Sequence, residues 1–322
     1  MIKTLMSLAS PAGPRARLSI LIFHRVLEQP DPLFPGEIDR ATFDAICTWL
    51  KSWFHVLPLD EAMVRLKRGD LPARAAAITF DDGYADNEVI ALPILQKHGL
   101  PATFYIATGY LNGGRMWNDS VIEAIRLCPN GTLDLNGTPA AALGQLDMGS
   151  IEARRTAIGA VLSATKYLEP GERQQWADAL QERSQAVLPT ALMMNSAQVK
   201  ALRSAGMLIG AHTMNHPILA RLSPAKAEAE IADGRDALEA LLGEPVRHFA
   251  YPNGKPVQDY DAASVAIVKR LGFDSAVSTA WGAASAGTDL HQVPRFSPWD
   301  RSRGRFGLRL LKNLIAGPEA RL

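Results

Sequence analysis

Short apolar runs alternating with longer stretches of helical period constrain this chain more than any other feature. Leu18–Phe23 (LSILIF), Ala75–Phe80 (AAAITF) and Ala102–Ala107 (ATFYIA) are compact and apolar, as expected of strands buried on both faces. Between the first two, Phe43, Ile46, Leu50 and Phe54 recur at helical spacing within Ala41–Phe54. Asn87–His98 reads as a second helix, ended by Gly99 with Pro101 just beyond. Runs at Met207–Ala211, Val246–Tyr251, Phe273–Ser278 and Gln292–Phe296 continue the rhythm, and Ser223-Pro224 opens a long helix between the first two of them. Strands alternating with helices imply βα units and a parallel sheet. Roughly six to eight such units close a barrel whose reactive groups gather at the strand C-terminal ends. One region breaks the rhythm. From about Leu111 to Asn195 there are helical patterns but no convincing strand, so it reads as a helical insertion after the third strand, joined through the turn-rich segment Cys128–Thr138.

Composition narrows the function classes. Thirty-four basic side chains against 33 acidic ones leave a net charge of +1, so no chain-wide basic field attracts nucleic acid. Cys47 and Cys128 lie far apart and outside any C-x-x-C pair, which excludes cysteine-ligated zinc and argues against a disulfide framework; both read as small buried filler. No stretch reaches the roughly 18 apolar residues that span a bilayer. The N-terminal apolar residues Leu5–Ala9 are broken by Pro11 and Pro14, too short for a signal-peptide core, and the expected location is cytoplasmic.

Three clusters of reactive residues stand at the ends of predicted strands. In Thr79-Phe80-Asp81-Asp82-Gly83-Tyr84, Asp-Asp-Gly read alone marks a turn. Two adjacent carboxylates are nevertheless costly unless a cation or hydrogen bonds separate their roles, and their side chains diverge. One can then bind a metal while the other faces a substrate. In His212-Thr213-Met214-Asn215-His216, two histidines four apart share one face of a helical turn and can share a metal ion, while Pro217 favours a ligand loop or single turn. The third cluster, Phe249-Ala250-Tyr251-Pro252-Asn253-Gly254, reads by itself as a strand followed by a turn. One carboxylate and two imidazoles leave coordination positions open, which suits catalytic zinc and equally a non-haem iron oxygenase. A spare carboxylate beside them favours hydrolysis, which needs a base for the attacking water.

TFDDG with Asp81-Asp82, the His212 to His216 segment and the FAYPNG strand end resemble, in this order, successive motifs of the polysaccharide deacetylase family. These are carbohydrate N-deacetylases related to chitin-oligosaccharide and peptidoglycan deacetylases. The likeness spans roughly Leu18 to Phe296, with the helical insertion unmatched. It implies an α/β fold, a distorted (β/α) barrel of parallel strands, and a divalent metal, usually Zn2+. Residues 1–322 then form a single catalytic domain with a helical insertion at about 111–195. Carried over position by position, Asp81 is the general base and Asp82, His212 and His216 are the metal ligands. The resemblance also implies a backbone donor to the oxyanion, either from just after the neighbourhood of Tyr84 or from the Tyr-Pro strand end, and Tyr251 is the one assigned.

Two positions depart from the family pattern. The late Leu-x-His motif that often supplies the general acid is matched only by Asp289-Leu290-His291, out of register by one residue. Some branches carry a histidine at the end of the first strand instead, and His24 resembles that, so His24 ranks first as general acid and His291 second. Many members also carry an arginine in the third motif that pairs with the base; here Ala250 stands in that place, and Arg295 at the last strand end is the natural substitute. Trp117 and Asn118, just inside the insertion, could line a sugar site or, for Trp117, pack in a core.

The last helix, at about 303–316, has two readings. Arg301, Arg303, Arg305, Arg309 and Lys312 accompany an apolar stripe of Phe306, Leu310, Leu311, Leu314 and Ile315. A basic amphipathic helix of this kind either closes the barrel or makes a peripheral contact with an anionic membrane, where a lipid-linked saccharide would be a plausible substrate. The expected activity is removal of N-acetyl groups from an amino-sugar-containing saccharide, with no nucleic-acid partner. The alternative is a metal-containing glycan-binding protein of the same fold with impaired catalysis.

Overall fold

The computed structural model describes residues 2–316. The chain begins with α1 (Ile2–Ala9), β1 (Leu18–Phe23), α2 (Arg40–Trp53), β2 (His55–Val56), α3 (Leu59–Arg68), β3 (Ala75–Phe80), α4 (Leu92–His98) and β4 (Thr103–Ile106). There follow α5 (Trp117–Leu127), β5 (Thr132–Asp134), β6 (Gln145–Asp147), α6 (Ile151–Thr165), α7 (Pro170–Ser184) and α8 (Ser196–Ser204). The chain continues with β7 (Leu208–Ala211), α9 (Pro224–Leu242), β8 (His248–Ala250), α10 (Ala262–Arg270), β9 (Ser275–Trp281), β10 (Val293–Arg295) and α11 (Arg303–Ile315).

The barrel strands run parallel in the order β1–β3–β4–β7–β8–β9–β10, with the two-residue β2 added beside β3. Phe296 closes the circle: its N–H donates to the Ile20 carbonyl at 2.7 Å, and the Ile22 N–H donates back to its carbonyl at 3.0 Å. The result is the distorted (β/α) barrel expected from the alternation of runs. Side-chain parity then divides the core in two. Leu18, Ile20, Ala75, Ala77, Tyr105, Ala250, Val277 and Val293 form the interior cluster. Leu21, Phe23, Ile78, Phe80, Phe104 and Phe249 point the other way, onto the surrounding helices. Alanines at three interior positions leave room for Tyr105, and a side chain on Gly210 would overlap that ring, with Cβ only 2.4 Å from its Cδ1.

The chain divides into two compact units. The barrel unit takes in Gly36–Asn112 together with the chain up to Gln29 and from Met194 onward. Gly113–Met193 and the remote loop Pro30–Pro35 form the second unit. Its core gathers Val121, Ile125, Leu133, Ile158, Val161 and Leu180 from α5, β5, α6 and α7. The buried Arg154 donates to the carbonyls of Ile125 and Cys128 at the end of α5, where a cation meets the helix dipole favourably. One expectation is corrected here. The segment read as strandless carries the antiparallel pair β5–β6, each only three residues long, too short to leave an alternation pattern.

The apolar stripe of α11 faces the protein. Phe306, Leu310 and Leu314 are fully buried, with the Phe306 ring against Trp49, Trp53 and Phe296, and α11 packs beside α1 over the barrel. That uses up most of the surface through which a membrane contact was expected; Ile315 remains exposed. Among the described residues no helix is long and apolar enough to cross a membrane. Cys47 and Cys128 are buried and unpaired.

Candidate active site

Parity explains which strand-end side chains converge. Asp81 lies two residues beyond Thr79 on β3, His212 two beyond Gly210 on β7, and Arg295 two beyond Val293 on β10, so all three continue the interior rows. The Arg295 guanidinium meets Asp81 end on, Nη1 to Oδ1 and Nη2 to Oδ2, both at 2.7 Å. Its Nε donates to the Ser278 carbonyl at 2.8 Å and Nη1 also reaches Thr79 Oγ1 at 3.2 Å, so the clamp is fixed from behind. Asp81 and Arg295 are almost completely buried. Burial raises the Asp81 carboxyl, but Arg295 foremost and then His212 outweigh it and hold the group below the ordinary aspartate range. Ala250, where the family arginine would stand, belongs to the same interior cluster; Arg295 reaches this space from another strand.

Asp82 leaves the row. Its φ of +75° lies in the left-handed region, which aspartate tolerates better than branched residues, and turns its carboxylate toward the histidines. Asp82 Oδ1 lies 3.4 Å from Nε2 of His212 and 3.4 Å from Nε2 of His216. Two ligands of a tetrahedral ion, each about 2.0–2.1 Å from it, stand about 3.4 Å apart. Oδ1 is buried and makes no hydrogen bond of ordinary length. His212 Nδ1 donates to the Ala250 carbonyl at 2.8 Å, which fixes the tautomer with the Nε2 lone pair toward Asp82. Burial opposes charge on His212, yet Asp82 and Asp81 raise it above the usual value, whereas burial pushes His216 down to about 4. A mostly buried carboxylate oxygen without a hydrogen bond, flanked by two imidazole nitrogens, fits a divalent cation. Asp82, His212 and His216 are the one such cluster among the described residues.

Of the ligand loop and the single turn that Pro217 leaves open, His212–His216 forms the loop. Thr213 and His216 both have positive φ, 65° and 51°, and tertiary contacts fix the loop from two sides. The Gly109 N–H donates to the Met214 carbonyl at 2.8 Å. Glu230 on α9 accepts from the Asn215 N–H and from its Nδ2, each at 2.8 Å. Gly234, one turn further along α9, lies directly against the loop backbone; a Cβ there would come within 2.5 Å of the Thr213 carbonyl carbon. Neither residue was singled out from the sequence, because a glutamate and a glycine inside a long helix carry no local signal. We expect Gly234→Ala to cost about 1–3 kcal/mol by overpacking and to weaken metal binding, read by thermal melts with and without zinc.

Two expectations are corrected. Tyr251 follows the outward parity of Phe249: its ring stacks on Tyr260 at 3.9 Å and its hydroxyl donates to the His291 carbonyl at 2.9 Å. Its N–H is spent on the Val277 carbonyl at 3.2 Å, so it has no donor for an oxyanion. Pro252 has no N–H and the Gly254 N–H donates to the Pro252 carbonyl, which leaves Asn253 as the unpaired backbone donor of this turn. His291 precedes β10, and its Nε2 pairs at 2.8 Å with the carbonyl of Phe273, which precedes β9. Both belong to the N-terminal ends of parallel strands, the opposite end of the barrel from Asp81, so His291 is not at the site. His24 directly follows β1, whose last residue pairs in register with Phe80, and the Asp81 N–H donates to the Phe23 carbonyl at 2.9 Å. Its exposed side chain acts electrostatically on Asp81, Asp82 and His216. Trp117 and Asn118 begin α5 in the second unit, where Trp117 packs against that unit's core with the Arg173 guanidinium 5.1 Å from its ring centre.

The sequence model of the family described as polysaccharide deacetylase matches residues 68–127 and 174–276, just over half of the chain. The chain belongs to the polysaccharide deacetylase family. The matched stretches carry Asp81-Asp82, the histidine loop and the FAYPNG turn. The poly-beta-1,6-N-acetyl-D-glucosamine N-deacetylase of Staphylococcus aureus is 34% identical over 87 residues, 27% of this chain and 30% of that one. The deacetylase PplD of Streptococcus pyogenes shares the fold at a TM-score of 0.60 and 21% identity, over 93% of this chain and 98% of that one. IcaB from Ammonifex degensii does so at 0.60 and 19%, over 95% and 99%.

Proposed function

We propose that this member of the family hydrolyses N-acetyl groups on an amino-sugar-containing saccharide, using zinc held by Asp82, His212 and His216. The observation that carries the reading is the Asp81 carboxylate, kept ionised by Arg295 beside that donor set. A bound divalent ion supplies Lewis-acid polarisation of the acetyl carbonyl and lowers the pKa of water. Asp81 takes the proton of the attacking water as the water oxygen bonds to the carbonyl carbon. The Asn253 N–H donates to the oxyanion. His24 gives a proton to the sugar nitrogen as the carbon–nitrogen bond breaks, leaving acetate and a free amine.

The displaced Leu-x-His acid and the missing third-motif arginine speak for the reading as a glycan-binding protein with impaired catalysis. Arg295 supplies that guanidinium from β10 and weakens the alternative. The N-acetylglucosamine polymer in the name of the Staphylococcus relative supports N-acetylglucosamine oligomers as the first substrates to test, beside peptidoglycan fragments and lipid- or nucleotide-linked N-acetyl sugars. Acetate release from one of these, stopped by a chelator and restored by zinc, supports the proposal; zinc binding and glycan binding without acetate release favour the alternative. The ligand set makes a second prediction. Zinc at a hundred times its Kd should stabilise the fold by about 2.7 kcal/mol, and Asp82→Ala should abolish that shift in a thermal melt.

A further inference from the structure

The His24 ring makes no hydrogen bond to a described residue, so its place beside Asp81 is set through its main chain. The chain from His24 to Val26 is grasped by two side chains from the segment after the Asp81-Asp82 turn, Asn87 at the His24 carbonyl and Asp86 at the Val26 N–H. Asn87 Nδ2 donates to the His24 carbonyl at 2.8 Å and to Asp86 Oδ1 at 3.1 Å. Asp86 Oδ1 also accepts the Val26 N–H at 3.1 Å, while Oδ2 pairs with Arg25 Nε at 2.8 Å. The bonds reach the carbonyl of His24, the side chain of Arg25 and the N–H of Val26, three successive residues. Arg25 in turn lies over the Tyr84 ring, 4.7 Å from its centre. Asn87 is fully buried and opens a widened π turn, Asn87–Ala91, a departure from α geometry frequent at functional sites.

From this geometry we infer that Asp86 and Asn87 are positioning residues that hold His24 where it can protonate the leaving nitrogen. The inference rests on the proposed role of His24 as general acid. Asn87 holds the His24 carbonyl directly and Asp86, bonded to Asn87, holds the two residues that follow, a fixation that makes sense if the placement of this exposed histidine matters to the reaction. Misplacing a reacting group by about 1 Å can cost on the order of 10²-fold in rate.

The test uses the zinc-loaded chain and two substrates. An N-acetylglucosamine oligomer has an amine leaving group that must be protonated, whereas 4-nitrophenyl acetate expels a phenolate that need not be. Loss of a general acid therefore lowers the first rate and spares the second. Asn87→Ala is expected to lower the ratio of the two kcat values by about tenfold or more, with zinc content unchanged. In a His24→Ala background the same substitution should change the ratio no further, because it acts through that histidine. Asp86→Asn keeps the oxygen that accepts from Val26 and should give a smaller drop; it carries the test should Asn87→Ala not fold. Equal losses on both substrates, or effects that multiply with His24→Ala, would overturn the inference. A ratio unmoved by His24→Ala alone would instead overturn the role of His24 itself.

Discussion

Arg295→Met is expected to destabilise the metal-free protein by about 3–5 kcal/mol at neutral pH, because it strands a buried carboxylate without its partner. The pH dependence separates this from a simple packing loss. In the wild type the Asp81 carboxyl titrates below the ordinary aspartate range, since Arg295 outweighs burial. The pair's stabilisation is therefore present above the ordinary aspartate pKa and is lost as the pH falls through the depressed value. Without Arg295, burial acts against the charge and the carboxyl titrates higher. The difference between variant and wild type should then be largest near neutrality and shrink as acid protonates Asp81. Urea titrations across that range measure it. A pH-independent difference would mean that Arg295 matters only as volume. Arg295→Lys should not rescue, because an ammonium cannot make the two-pronged pair.

Asp81→Asn is expected to have the largest effect on turnover, a loss of about 10²–10⁴-fold, with zinc still bound. The amide nearly matches the carboxylate in shape but cannot accept the proton of the attacking water. Asp82→Ala should lose metal and activity together. The two neighbours thus separate by metal content, as their geometry requires: Asp81 faces the guanidinium, and Asp82 faces two imidazole nitrogens. Loss of zinc in Asp81→Asn would place both carboxylates in the metal's shell and remove Asp81 as the base.

Much of this site was legible because its signals are local. A strand buried on both faces leaves an unbroken apolar run, so the ends of β3 and β7 could be located, and with them Asp81-Asp82 and His212, while His24 at the end of β1 is named through the family resemblance. Arg295 could be named as the partner of Asp81 because the family resemblance calls for an arginine there and Arg295 stands at the last strand end. Tyr251 failed on parity: a tyrosine two residues after an outward phenylalanine also points outward, and its N–H belongs to the sheet. His291 failed on direction, since it precedes its strand rather than following it. Glu230, Gly234 and Asn87 act through backbone atoms of residues distant in sequence, and only the folded chain brings these together.

The measurement that bears most directly on the account is acetate released from N-acetylglucosamine oligomers and the related N-acetyl sugars by zinc-loaded protein, with zinc counted in the same sample and Asp81→Asn run beside it. The account predicts acetate from the wild type, about one zinc per chain in both proteins, and at least a hundredfold less acetate from the variant. Full zinc occupancy with no acetate from the wild type on any of these sugars, or equal release from the variant, would contradict it.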